Sequence, residues 1–296
     1  MVKEKKNVAL ISIIASIFLT GSKLLIATFT GSLGILSEAL HSALDLLASL
    51  ITYFSVSVSD KPADKQYHFG HGKVENFSAL LETILLLITC GWIIYEAIIR
   101  LVSGNTRIEV NIWSYIVIIS SIIIDINRSR ILAKVAKKYN SQALEADAIH
   151  FSTDIWSSVV VLFGLLCSNF GFYFADSLAA LGVACLILFV CFRLGKRSVD
   201  VLLDKAPKDT IHKIELILAS FPQVESFHDL KVRTAGADTF VMLVVILERE
   251  IMLTKAHEIC DNVEIEICNV IDRCDVFVHA EPHNMDNIQT MEPEIL

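Results

Sequence analysis

Long apolar blocks fill the first two hundred positions of the chain, broken by short polar or basic segments. A helix needs roughly 20 mostly apolar residues to cross a hydrocarbon core. Six stretches reach that length, at about 8–29, 33–58, 76–101, 110–132, 145–168 and 175–195. The pattern predicts an α-helical membrane domain over residues 1–200 with six transmembrane helices. The second, fourth and fifth stretches carry polar residues at depth. Such residues are costly in lipid and face a bundle interior, so these three helices are expected to line the interior and the others to meet lipid more freely.

From Pro207 the period changes. Residues 208–220 and 254–271 read as amphipathic helices, and 226–234, 238–247 and 275–281 as strands, with a turn at Gly236. The order α-β-β-α-β with an antiparallel hairpin predicts a small α+β sandwich over residues 201–283. Residues 284–296, with Asp286, Glu292 and Glu294, read as an acidic disordered tail.

Lys/Arg bias sets topology. Lys3, Lys5 and Lys6 precede the first helix, Lys61, Lys65 and Lys73 follow the second, Arg128 to Lys138 follow the fourth, and Arg193, Lys196 and Arg197 close the sixth. All fall on one side, and the opposite loops offer one clear basic residue, Arg107. Both termini are therefore predicted cytoplasmic, with a multi-pass chain between them in a bacterial inner membrane. The first apolar run exceeds the roughly 7–15 residues of a signal-peptide core, and a retained first helix is expected.

Composition agrees: 54% of residues are hydrophobic, 20% are charged, and mean hydropathy is +0.58, too apolar for a wholly soluble protein. A net charge of -8 lacks the basic footprint of a nucleic-acid binder. The seven cysteines form no C-x-x-C pair, which argues against a disulfide framework or a thiolate zinc site and for reduced, packed thiols.

The candidate chemistry is a repeated pattern. His41 and Asp45 stand four apart in SEALHSALDLLAS, and His150 and Asp154 four apart in EADAIHFSTDIWSS. That spacing puts each pair on one helical face. Two such faces brought together offer two imidazoles and two carboxylates, an N/O set that suits a divalent metal and Zn2+ in particular. A histidine must be neutral to bind metal, so loading displaces protons, and a vacant site can carry protons back. Asp125 stands three residues before Arg128 and reads as a helix-end ion pair, with a relay on the cytoplasmic path as the alternative. HEICD at 257–261 lacks the second His of a zinc protease, and no P-loop, nucleophile elbow or dinucleotide fingerprint occurs, so no enzyme is indicated.

Several motifs, in order, resemble the cation diffusion facilitator family of divalent-metal/proton antiporters: SEALHSALDLLAS, HFGHGKVE (68–75), NSQALEADAIHFSTD (140–154), LLDKAP (202–207), HDLKVRTAG (228–236), KAHEICDNVE (255–264) and VHAEP (278–282). The resemblance covers Asn7 to about His283. It implies a homodimer whose cytoplasmic domain is ferredoxin-like and metallochaperone-like, and a salt bridge between Lys73 and Asp204 that locks the two domains. It implies a loop metal site from Asp64 and His71, with Tyr67 at a usual ligand position and His68 one residue out of step. It implies a cytoplasmic-domain metal site from His228, His257, His279 and Glu281. Val244 replaces a family histidine there, and His283 is a spare ligand. Where many relatives have Asp, this chain has His41, an arrangement that leans toward zinc. The expected function is proton-coupled efflux of a divalent cation, most of all Zn2+, with no cofactor beyond transported or regulatory metal and no nucleic-acid partner. The alternatives are the same carrier with Fe2+ or Mn2+ as cargo, and a membrane scaffold that senses metal without moving it.

Overall fold

A computed structural model describes residues 2–30, 33–103, 112–169 and 174–283. The chain divides into two compact units, Met1–Asp200 and Val201–Leu296. The predicted tail, 284–296, lies outside the described residues.

The first unit is built from six long helices: α1 (Val2–Thr30), α2 (Leu33–Ser59), α3 (Lys73–Ser103), α4 (Ile112–Tyr139), α5 (Gln142–Asn169) and α6 (Phe174–Leu202). Among the described residues, three spans are long and apolar enough to cross a membrane by length and composition, Lys3–Phe29, Ala39–Ser59 and Lys73–Ile99. The helices outrun the apolar blocks. α1 begins at Val2, α4 runs through its basic segment to Tyr139, and α6 continues to Leu202. Lysine and arginine are good helix formers, so the end of an apolar block does not end the helix. What stops α4 is Asn140, in left-handed backbone (φ 49°), with the Ser141 N–H returning to the Ala136 carbonyl at 3.1 Å. That is a Schellman-type cap, and Lys137 and Lys138 in the last turn oppose the helix dipole.

α1 packs on α2 and α4, α5 on α4, α3 and α2, and α3 on α2. The first and third helices, expected to meet lipid more freely, carry buried polar groups as well. α1 buries Lys5, Ser12, Ser16 and Lys23, and α3 buries Glu75, Asn76 and Glu82. The reason is mutual pairing. Lys5 Nζ lies 2.9 Å from Asp60 Oδ1 and 2.9 Å from Glu75 Oε1. Glu75 also accepts hydrogen bonds from Ser59 Oγ at 2.9 Å and Ser141 Oγ at 2.6 Å. This knot ties the first turns of α1, α3 and α5 to the end of α2.

The second unit follows the predicted order: α7 (Lys208–Leu218), β1 (Ser226–Ala235), β2 (Asp238–Leu247), α8 (Leu253–Val270) and β3 (Cys274–Pro282). β2 is central, antiparallel to β1 and parallel to β3. A parallel pair needs a crossover, and α8 supplies it. Side chains alternate along a strand, so Val241, Leu243, Val245 and Leu247 of β2 turn inward together. They form a core with Ile214, Ile217 and Leu218 of α7 and with Val263 and Ile267 of α8. Gly236 (φ 61°) makes the β1–β2 turn, and Asp229 (φ 52°) lies in the register shift between His228 and Lys231.

The described thiols Cys90, Cys185, Cys191, Cys260, Cys268 and Cys274 are free. Cys167 lies where side chains are not described. Burial, and then the neighbouring Cys268, push the Cys274 thiol up to about 12. Thiolate is the reactive form, so Cys274 stays protonated at pH 8. Iodoacetamide at that pH is expected to modify exposed Cys268 and spare Cys274, as read by peptide mass spectrometry. In the first unit, Lys5→Met leaves buried Glu75 without the ammonium that meets it. The expected loss is about 3–5 kcal/mol, seen as a lower melting temperature in detergent and partly restored by adding Glu75→Gln.

Candidate metal site in the helical bundle

α2 and α5 run side by side, and each carries its His and Asp one turn apart on the facing side. His150 Nε2 lies 3.2 Å from Asp45 Oδ1 and 3.5 Å from Asp154 Oδ2. His41 Nε2 lies 3.5 Å from Asp154 Oδ1. One ligand atom each of His41, Asp45 and Asp154 falls within 4.8 Å of the other two. His150 joins them through both carboxylates. Metal–ligand bonds of about 2.0–2.2 Å in a tetrahedron separate ligand atoms by roughly 3.3–3.6 Å. The three His–Asp separations, 3.2–3.5 Å, lie near that range.

The surroundings hold these groups in place. His150 is 2% exposed, whereas the His41 side chain is 32% exposed, so the centre opens on the His41 side. Phe151 packs edge-on to the His150 ring at 5.5 Å. Ser49 Oγ donates to the Asp45 carbonyl at 3.0 Å. Beside His41, Ser42 accepts from buried Lys23 Nζ at 2.7 Å. Among the described residues His150 Nδ1 is buried without a hydrogen-bond partner, and Asp154 Oδ2 has His150 Nε2 at 3.5 Å.

Asp125 makes the expected i,i+3 pair, at 3.3 Å from Arg128 Nη1. The buried Arg128 also donates to Ser16 at 2.7 Å, Ser12 at 2.9 Å and Ser49 at 3.1 Å, and lies 3.5 Å from the Phe151 ring centre. Sequence reasoning missed this network, and it missed Glu82 and Asp147, both buried. The usable signal was the rarity of charge at membrane depth, which makes each such residue worth placing.

The other candidates are only partly assembled. In the loop before α3, Asp64 Oδ1 accepts the backbone N–H groups of Gln66 and Tyr67, each at 2.8 Å. These bonds hold its carboxyl below the usual range, since they favour the charged form. Asp64 Oδ2 lies 3.6 Å from His71 Nε2, with the Tyr67 ring 4.5 Å from that of His71. His68 is exposed and, among the described residues, pairs with neither.

In the second unit, His228, Val244 and His279 are register partners across β1, β2 and β3. Glu281 lies 3.5 Å from His228 Nε2 and 4.0 Å from His279 Nε2. Three candidate ligands therefore share one sheet face, with Val244 filling the position between the histidines. His257 is exposed and pairs with Asp261 on its own helix at 3.6 Å. His283 pairs with Glu225. Lys73 opens α3 of the first unit, and Asp204 of the second has Arg233 at 3.7 Å.

A bundle of long apolar helices with a buried His/Asp group that could hold a cation, followed by a small α+β unit, is the architecture of a membrane protein. Residues 9–203 match the cation efflux transmembrane domain, and residues 206–283 match the cytoplasmic domain of cation efflux proteins. The chain belongs to the cation efflux, or cation diffusion facilitator, family, whose members are transporters and not enzymes. It is 33% identical over 256 residues to the cation-efflux pump FieF of Yersinia enterocolitica, covering 86% of this chain and 84% of the relative. It is 29% identical over 272 residues to the FieF pump of Shewanella oneidensis, covering 92% of each. Among solved structures, the metal-bound C-terminal domain of the CzcD transporter from Thermotoga maritima is similar. That match is 26% identical, with a TM-score of 0.25, and covers 26% of this chain and 92% of that one.

Proposed function

We propose that this membrane protein exports a divalent metal cation from the cytoplasm in exchange for protons, with His41, Asp45, His150 and Asp154 as the transport site. The observation that carries the reading is the convergence of two His-x-x-x-Asp pairs at 3.2–3.5 Å. Two carboxylates balance a doubly charged ion, and two neutral imidazoles complete four-coordination. Each imidazole that arrives protonated gives up its proton on loading, which ties metal exit to proton entry.

Zn2+ is the proposed cargo, because imidazole with carboxylate suits zinc and His41 lowers the site's negative charge. The relatives' description as cation-efflux pumps favours no single metal, so Fe2+ and Mn2+ are the cargo alternatives. The Lys/Arg bias supports cytoplasmic termini. The match of the second unit to the cytoplasmic domain of cation efflux proteins supports a homodimer formed through it. The group His228, His279 and Glu281 is a regulatory metal site in this reading.

His150→Ala is expected to abolish metal-driven proton flux in proteoliposomes while leaving the protein folded. Undiminished flux would remove His150 from the site. Binding without flux in the unaltered protein would instead support the non-transporting scaffold. His41→Asp adds a hard, charged ligand. In the same assay, the ratio of Zn2+ to Mn2+ transport rates is expected to fall by roughly 10-fold or more, about 1.4 kcal/mol of relative stabilisation.

A further inference from the structure

The buried polar side chains of the bundle recur at seven-residue steps. Ser59, Thr52 and Asp45 are seven apart on α2, Glu75 and Glu82 on α3, Lys5 and Ser12 on α1, and Asp147 and Asp154 on α5. Seven residues of helix rise about 10 Å and return nearly to the same face. The four helices therefore stack polar groups in three layers. The knot of Lys5, Ser59, Asp60, Glu75 and Ser141 forms one end. The His/Asp centre forms the deepest layer. Between them stand Ser12, Thr52, Glu82 and Asp147.

The end layer has its own cation in Lys5, and the middle layer differs. Glu82 is 2% exposed and Asp147 is 0% exposed. One oxygen of each is held. Glu82 Oε1 accepts from Thr52 Oγ1 at 2.6 Å and Ser78 Oγ at 3.2 Å, and Asp147 Oδ2 accepts from Ser12 Oγ at 3.3 Å. The other oxygens, Glu82 Oε2 and Asp147 Oδ1, are buried and have no hydrogen-bond partner among the described residues. Arg128 reaches this layer through Ser12 at 2.9 Å, but its charge is matched by Asp125 at 3.3 Å. Leaving a buried acceptor unsatisfied costs about 1–3 kcal/mol, and more for a charged group. Two such acceptors on packed helices, α3 and α5, call for a cation.

We propose that Glu82 and Asp147, with the hydroxyls of Thr52, Ser78 and Ser12, form a second divalent-cation site one turn of α5 from His150 and about 10 Å along the helices from Asp45 and Asp154, a station the cargo occupies on its way. This rests on the reading of that centre as the transport site. The two carboxylates match the charge of a divalent ion. The ligands are all oxygen, which suits hard cations and discriminates poorly among transition metals. Selection then falls to the imidazoles of the deeper centre, and the station serves to replace water around an ion entering the bundle.

The test counts Mn2+ bound to the full chain in detergent by electron paramagnetic resonance. Glu82→Gln and Asp147→Asn are each expected to lose one bound ion, and the double variant no more than one. Glu82→Asp is expected to keep it. Thr52→Val, which leaves both carboxylates in place, weakens binding several-fold and gives the same reading if a carboxylate variant fails to fold. The same loss is expected when Asp45→Asn and Asp154→Asn silence the deeper centre. An unchanged Mn2+ count in folded Glu82→Gln protein overturns the site. So does an unchanged count with altered proton release, which makes the pair a proton site. If Asp45→Asn and Asp154→Asn remove no ion while Glu82→Gln does, the transport-site reading fails and the station stands.

Discussion

An apolar bundle admits an ionisable side chain only where another one meets it. The first unit is organised around that constraint. In the candidate centre the pairing crosses between helices: His41 of α2 lies nearest Asp154 of α5, and His150 of α5 nearest Asp45 of α2. The cross-helix contacts are a property of the helix pair, although His150 also meets Asp154 of its own helix at 3.5 Å. Lys5 does the same work at the end of the bundle, where its ammonium meets carboxylates from α2–α3 and from α3 itself.

The same constraint gives a reason for movement. An empty centre with two buried carboxylates is electrostatically unbalanced unless a proton or metal ion enters. Each exchange of occupant changes the charge shared between α2 and α5. A two-state carrier needs a ligand that distinguishes its states, and a group whose occupancy alters the attraction between two packed helices can do so. The small unit faces no such problem. Its core is aliphatic, and its His228, His279 and Glu281 sit on a half-exposed sheet face where water can serve them when metal does not.

Much of this was legible in the chain. The i,i+4 spacing announced both halves of the centre, because one helix fixes the geometry within each half. Period-two alternation gave β2 to the residue, and the αββαβ order followed. Helix ends were harder to place, because hydropathy measures membrane thickness while caps such as Asn140 stop helices. Glu82, Lys5 and Arg128 were harder still. Their partners come from other helices, and no local pattern says which faces meet. His257 and His283 show the reverse error of scale: the motif supplied ligand types, but the fold gave each a nearer acid, Asp261 and Glu225.

His41 is where sequence choice and geometry combine most sharply. It is the most exposed member of the four, at the open side of the centre, and the one that adds no fixed negative charge. With His41 and His150 neutral, the four side chains sum to the charge of two carboxylates, equal and opposite to one divalent ion. A third carboxylate in its place would leave the loaded centre anionic in an apolar medium, favouring a retained proton or a harder cation. In the proposed reading of the centre as a metal site, neutrality of the loaded state is the physical ground on which His41 would favour a metal that bonds imidazole well.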